Sequence, residues 1–176
     1  MTTNTHSTPS NLSPDDLSVL ERAPLVIFLL VAGADKRIDK KEIDEFIHTL
    51  VFPQEYYSEL LLQVIDRLLP LPAQEIDKSD KVHLRQIVQS VANHLSQIIH
   101  LDLKQRLALL IEVKRVLDSL PQEVSQAFKL SLFHIGHRLA ASSGGFFSFG
   151  NKVSRQEKAV LKKIVHILGI EIKDMN

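Results

Sequence analysis

Apolar residues recur at three- and four-residue spacing along almost the whole chain, whereas strand-like alternation is hard to find. This spacing places apolar side chains on one face of a helix. Capping residues, prolines and glycines divide the pattern into about eight segments joined by short links. The sequence therefore predicts an all-α protein, folded as a compact bundle of about eight helices.

Helix signals in the first half begin at Ser13, whose hydroxyl can cap free N–H groups. Pro24 is expected to divide this helix from the next, over residues 25–33, which is apolar all round and is predicted to lie at the centre of the core. Asp39 and Glu42 form a capping-box pattern for a third helix. Pro53 is predicted to begin a fourth helix, before a long connection over residues 71–79. Its expected inward residues are Leu60, Leu61, Val64, Ile65 and Leu68.

Three further helices are predicted between residues 80 and 143. Asp102 and Gln105 repeat the capping-box pattern at the start of the sixth helix, and Pro121 is expected to begin the seventh. Ser154 and Glu157 form the same pattern at the start of the last helix. The inward residues expected in the fifth helix are Leu84, Ile87, Val88, Val91, Leu95, Ile98 and Ile99. Those expected in the seventh are Val124, Phe128, Ile135 and Leu139.

Length and composition fit one domain with a substantial core, since the chain has 176 residues and is 44% hydrophobic. Residues 1–12 are rich in Thr, Ser and Asn and are predicted to be a disordered tail, followed by a single helical domain over residues 13–176. The most apolar stretch, residues 23–34, is short of the roughly 20 residues that a bilayer requires. The chain has no cysteine, which excludes disulfides and fits a reducing compartment. We therefore expect a cytoplasmic location.

Formal charge is zero overall but differs between the two halves of the chain. Residues 1–80 contain 7 Lys or Arg and 14 Asp or Glu, and residues 81–176 contain 14 and 7. A neutral total argues against a nucleic-acid partner, for which a clustered basic face is typical. The asymmetry fits either attraction between the halves inside one fold or a basic surface near the C-terminus.

Two segments of the chain resemble each other. Residues 32–42 align with residues 141–157 when residues 145–150 are treated as an insertion, so that Ile38 matches Val153 and Glu42 matches Glu157. Each segment combines an apolar helix, a turn, an apolar residue and a capped amphipathic helix. The similarity indicates either two pseudo-repeated helical hairpins of common origin or features that helical hairpins generally share.

These residues resemble the tellurite-resistance TerB-like family. Its pattern is Ala-Asp-Gly, an aliphatic residue two places on, and a Glu four places later at a helix start. Ala34-Asp35-Lys36-x-Ile38-x-x-x-Glu42 fits this pattern except for the Gly, and residues 151–157 fit it without the Asp. The resemblance implies an all-helical fold, a stress-response association and an acidic metal site. Lys36 stands where the family has Gly, which adopts positive φ at little cost.

Asp35, Asp39 and Glu42 are the candidate metal ligands, because carboxylate oxygens suit a divalent cation such as Ca²⁺ or Mg²⁺. Their spacing is not that of an EF-hand, which would require a Gly at Lys40 and a Glu at Phe46. A capping box accounts for Asp39 and Glu42 without any metal. The structural interpretation and the metal site therefore both stay open.

Catalytic patterns are not found in the sequence. His134 and His137 have the i,i+3 spacing of two zinc ligands on a helix, but no third ligand is indicated. There is no Gly-x-Ser-x-Gly elbow, no cysteine nucleophile and no phosphate-binding glycine loop. We therefore predict a protein that is not an enzyme.

Three phenylalanines lie between glycines, directly before a helix with several lysines. The composition is typical of a peripheral membrane contact or of a partner-binding surface. Alternatively, the rings cover the core and the lysines form a solvated face. The candidate contact residues are Phe146, Phe147, Phe149, Lys158, Lys162 and Lys163.

Two functional hypotheses follow from these observations. The first is a non-enzymatic TerB-like binding module, acting through a protein partner or self-association, with a divalent cation as an optional ligand. The second is an adaptor that binds a membrane or another anionic surface through the Phe-containing segment and the basic last helix.

Overall fold

Eight α-helices and two single-turn 3-10 helices form the part of the chain that the computed structural model describes, namely residues 12–35, 38, 40–52, 54–76, 80–143 and 153–171. No strand occurs among these residues, so the predicted all-α bundle of about eight helices is confirmed. The 3-10 helices are Gly33–Asp35 and Ala73–Glu75. The α-helices are α1 (Pro14–Glu21), α2 (Ala23–Ala32), α3 (Lys40–Val51), α4 (Glu59–Leu68), α5 (Lys81–Ser96), α6 (Leu103–Asp118), α7 (Gln122–Ser143) and α8 (Arg155–Leu168).

The central element is α2, as its uniformly apolar sequence predicts. All ten of its residues are buried, and it packs against α1, α6, α7 and α8, most extensively against α7. Gly136 permits this close approach, since a Cβ there would lie 3.2 Å from Ile27 Cγ2 of α2 and 3.1 Å from Leu161 Cδ2 of α8. A short apolar helix can be enclosed in this way because its hydrogen bonds are satisfied internally.

Local capping signals predicted the helix starts well. The Ser13 side chain accepts a hydrogen bond from the Asp16 N–H, and Pro24 lies in the first turn of α2 just after the chain divides from α1. Asp102 begins α6 with a complete capping box, and Ser154 begins α8 in the same way. These predictions are confirmed because each depends on contacts within four residues.

The predicted start of the fourth helix is wrong, because residues 54–58 are not helical. Residues 54–57 form a turn, closed by a 2.9 Å hydrogen bond from the Tyr57 N–H to the Gln54 carbonyl. Helix α4 begins only after Ser58, whose hydroxyl accepts from the Leu61 N–H. The five expected inward residues of α4 are nevertheless all buried.

The expected apolar stripe of α5 is also partly wrong. Leu84, Val88 and Ile99 are 37%, 46% and 49% exposed, whereas Ile87, Val91, Leu95 and Ile98 are buried. The reason is position, since α5 lies at the edge of the bundle and its main contacts, with α3 and α4, are sparse. A helix at the edge of a bundle is covered along a narrow stripe, so some of its apolar residues stay exposed.

Several predictions fall on residues outside those described: most of the tail (residues 1–11), Asp39, Pro53, and residues 144–152 with Phe146, Phe147 and Phe149. Leu12, the last residue assigned to the tail, is partly buried against the core. No helix in the described ranges is long and apolar enough to cross a membrane.

The two similar segments occupy related places in the bundle. They contribute to the helix pairs, or hairpins, α2–α3 and α7–α8. Helix α2 packs on α7, α3 packs on α7 and α8 packs on α2, and α7 packs on α8 more extensively than α2 packs on α3. Ile38 and Val153, which match in sequence, are both partly buried against the core. Glu42 and Glu157, which also match, are 8% and 7% exposed in the first turns of α3 and α8. The two hairpins therefore pack reciprocally about the contact of α2 with α7.

Candidate functional site

The predicted acidic site lies where α2 leads into α3. Asp35 ends the 3-10 helix Gly33–Asp35, and Glu42 is buried in the first turn of α3. Asp39 and the side chain of Asp35 are not among the described parts of the chain. Where side chains are described, no group of three His, Asp or Glu residues could hold a metal ion.

A permanent cation lies against this turn. Arg106 of α6 donates from Nη1 to the Leu29 carbonyl at 2.9 Å and from Nη2 to the Ile99 carbonyl at 3.1 Å. A Cβ added at Gly33 would lie 2.9 Å from the same Nη1. Partial burial lowers the pKa of Arg106 from its ordinary value, but an arginine remains charged at neutral pH. The guanidinium therefore satisfies a carbonyl group near the carboxyl end of α2 and places a positive charge against Gly33, in the turn that leads to the predicted acidic site.

The last helix presents a basic face. Lys158, Lys162 and Lys163 are exposed, as is Arg155, which lies one turn before Lys158. No ion pair joins these cations to an acidic group in the described ranges of the chain. The opposite face of α8 is buried through Leu161, Ile164 and Leu168. The structure thus brings the three predicted lysines together on one solvated surface.

A second surface was not predicted from the sequence. We call it the aromatic–histidine surface, and it joins the 54–57 turn to α7. The His134 ring lies 4.4 Å from the Tyr56 ring, and the Phe133 ring lies 5.9 Å from His134 and 6.1 Å from His137, measured between centroids. Tyr56 is 46% exposed. Its members are Tyr56, Phe133, His134 and His137.

The two histidines both make ring contacts on this surface. Partial burial lowers the pKa of His134, and the neighbouring His137 lowers it further. A neutral His134 imidazole can pack on the Tyr56 ring without the desolvation that a charged ring would suffer. The zinc pair considered from the i,i+3 spacing therefore has a structural explanation at His134.

Contacts behind this surface hold the turn on α7. Ser131 Oγ accepts from the Ser58 N–H at 2.9 Å and lies 3.2 Å from the Tyr56 carbonyl oxygen. Tyr57 is buried with its hydroxyl 3.4 Å from the Thr49 carbonyl, and burial raises the pKa of this phenol. The turn is therefore fixed at both its backbone and its buried side chain.

A groove of about 270 Å³ lies beside the same turn, between α4 and α7. Its apolar lining comes from Leu60, Val124 and Ala127, and Glu59 and Glu123 stand among its polar residues. We call it the α4–α7 groove. Sequence reasoning missed both surfaces because neither has a motif. The sequence indicates them only weakly. Two adjacent tyrosines lie in the connection before α4, and the helices contain more apolar residues than one buried stripe requires.

Comparison with family models, with curated proteins and with solved structures found no match to this chain.

Proposed function

We propose that this chain is a non-enzymatic helical binding module of the TerB-like kind, cytoplasmic and associated with a stress response such as tellurite resistance. The reciprocal packing of α2–α3 and α7–α8 supports this proposal. Two matched pairs from the resembling segments, Ile38 with Val153 and Glu42 with Glu157, are alike in burial and in their position before or within the first turn of α3 and α8. The buried acidic residues Glu42 and Glu157 lie at helix starts, where helix capping is their expected role. We therefore expect the module to bind its partners through its exposed surfaces.

Glu157 shows what the equivalent Glu42 is expected to do. The Glu157 carboxylate accepts from the Ser154 N–H at 2.7 Å, and the Ser154 hydroxyl accepts from the Glu157 N–H at 3.1 Å. Glu42 has the same low exposure at the same helical position. We infer that Glu42 serves helix capping in the same manner, and that the Arg106 charge against Gly33 disfavours a cation in this turn.

The equivalence of the hairpins is tested by unfolding the variants Glu42→Gln and Glu157→Gln in urea. Each is expected to lower the free energy of unfolding by about 1 kcal/mol without any metal, because a capping interaction is lost. Glu112→Gln, on the exposed face of α6, serves as the control and should change little. A loss at only one of the two positions would contradict the equivalence of the hairpins.

A separate variant, Asp35→Ala, tests for a bound cation. With Glu42 in a capping role, millimolar Ca²⁺ or Mg²⁺ is expected to leave the melting temperature unchanged in the natural chain and in Asp35→Ala. A ligand that binds only the folded state would raise the melting temperature by mass action. A rise that disappears in Asp35→Ala would establish a cation site at Asp35, Asp39 and Glu42 in place of the capping role.

The basic face of α8 favours a second candidate function, an adaptor for a membrane or another anionic surface. Lys158, Lys162 and Lys163 are exposed together, and phenylalanines at 146, 147 and 149 precede the helix in sequence. Clustered lysines attract anionic lipids, and exposed aromatic rings insert at the interface.

Vesicle sedimentation tests this candidate. The double variant Lys158→Glu and Lys162→Glu is expected to lose binding to phosphatidylserine vesicles, and Phe147→Ala to weaken it without changing the melting temperature. Binding should also fade as salt shortens the range of electrostatic attraction. Lys104→Glu, an exposed lysine on α6, is the matched control. A Phe147→Ala variant that is destabilised by about 3–5 kcal/mol but binds vesicles normally would favour a lid over the core.

A further inference from the structure

We propose that the α4–α7 groove and the adjoining exposed side chains of Tyr56 and Leu130 form a docking site for an amphipathic helix of a partner protein that carries basic residues on its flanks. This inference rests on the proposed function as a binding module. It adds a site on that module and a chemical class of partner.

The shape of the groove suits side chains rather than a small molecule. Its volume of about 270 Å³ is below the range of roughly 300–1,000 Å³ typical of small-ligand pockets. Apolar groups from Leu60, Val124 and Ala127 line it. A groove of this kind between two helices accepts successive apolar side chains from one face of a partner helix.

The apolar surface continues beyond the groove along α7. Ala127 lines the groove, Leu130 follows three residues later and is 38% exposed, and His134 lies four residues beyond under the Tyr56 ring. Residues at these spacings share one helix face. The stretch from Glu123 to His134 is about 17 Å long at a rise of 1.5 Å per residue. This length matches about three turns of a docked helix.

The charge around the groove determines the kind of partner. Glu59 and Glu123 line the groove, Glu55 belongs to the adjoining 54–57 turn, and all three residues are exposed. The nearest basic side chains of α7 are already engaged, since Lys129 is buried in an ion pair with Asp118 and Arg138 pairs with Glu45 at 3.0 Å. An apolar floor with an acidic margin favours an apolar ridge with basic flanks.

A second copy of this chain fits the site less well. A twofold contact through this face would bring the acidic margins of the two copies together, and like charges oppose association. The basic helix α8 of another copy has the right charge, but its apolar residues Leu161, Ile164 and Leu168 are buried in its own fold. The occupant is therefore a helix from a different protein.

The test uses two synthetic helical peptides of 14 residues with leucines at positions i, i+3, i+4 and i+7. One carries lysines on its flanks and the other carries glutamates at the same places. Titrated into the isotope-labelled full chain, the lysine peptide is expected to shift the amide resonances of residues 56–60 and 123–134, and the glutamate peptide is not. Ala127→Gln, which fills the groove, should weaken binding about tenfold or more.

The control is Ile111→Gln, which changes an apolar residue of α6 that is 56% exposed and remote from α4 in sequence. It should leave peptide binding unchanged. Glu59→Lys combined with Glu123→Lys should reverse the preference towards the glutamate peptide. Failure of the lysine peptide to bind, equal binding of both peptides, normal binding to Ala127→Gln, or dimerisation through this face would each overturn the proposal. The unfolding of Glu42→Gln and Glu157→Gln is measured separately, so failure of the docking site is distinguishable from failure of the proposed module.

Discussion

Phe46→Ala is expected to lower the free energy of unfolding by about 3–5 kcal/mol, the cost of a large cavity in a packed core. Phe46 of α3 is fully buried, and its ring stacks on Phe28 of α2 with centroids 4.5 Å apart and an interplanar angle of 10°. Truncation removes both the buried area and a specific aromatic contact. The measurement is equilibrium unfolding in urea, followed by circular dichroism.

The control variants separate volume from ring stacking. Phe46→Leu keeps most of the apolar volume and should cost clearly less than Phe46→Ala. Ile111→Ala, on the solvent side of α6, should change stability by less than about 0.5 kcal/mol. If Phe46→Ala cost no more than Ile111→Ala, α3 would not be packed against α2 as described.

Asp118→Ala is expected to destabilise the protein by about 3 kcal/mol, because it leaves a buried lysine without its counter-charge. Lys129 of α7 is only 3% exposed, and its Nζ lies 2.6 Å from Asp118 Oδ1 at the end of α6. Lys114 also bonds the other carboxylate oxygen. Asp118 itself is 41% exposed, which places the expected cost at the lower end for buried pairs.

Lys129→Met provides the informative comparison, since it removes the buried charge and keeps an apolar chain of similar length. Replacing a buried ionic group with an apolar side chain is often neutral or stabilising. We therefore expect Lys129→Met to unfold at nearly the same urea concentration as the natural chain. A loss in Lys129→Met equal to that in Asp118→Ala would show that the ion pair itself, rather than the unpaired charge, determines stability.

The pH dependence of the protein's stability follows from the Asp118 carboxylate. Hydrogen bonds from Lys114 and then from Lys129 hold the pKa of Asp118 below its ordinary value. A carboxylate whose pKa is lowered by folding contributes stability that is present above its unfolded pKa, and that is lost as pH falls through its folded pKa. Stability should therefore decline more steeply below about pH 4 in the natural chain than in Asp118→Ala.

The two candidate interaction surfaces have opposite charge and lie on different helices. The basic face of α8 was found from the sequence, because four cations within nine residues of an amphipathic helix are visible as a pattern. The α4–α7 groove was not visible, since Leu60 and Ala127 are 67 positions apart. Peptide and vesicle experiments therefore test independent sites, and a variant in one surface should leave binding at the other unchanged.

By itself, the sequence determined the helices and most of their starts, because capping and periodicity depend on contacts within one or two turns. Ser13, Asp102 and Ser154 cap helices as predicted, and α2 is buried as its uniform apolar composition requires. Tertiary structure alone decided which apolar residues are covered. Leu84 and Val88 have the periodicity of core residues yet are exposed, because α5 lies at the edge of the bundle, where it makes few contacts with other helices. The turn before α4, the Arg106 guanidinium against Gly33 and the groove beside Tyr56 likewise depend on residues distant in sequence, whose approach no local pattern specifies.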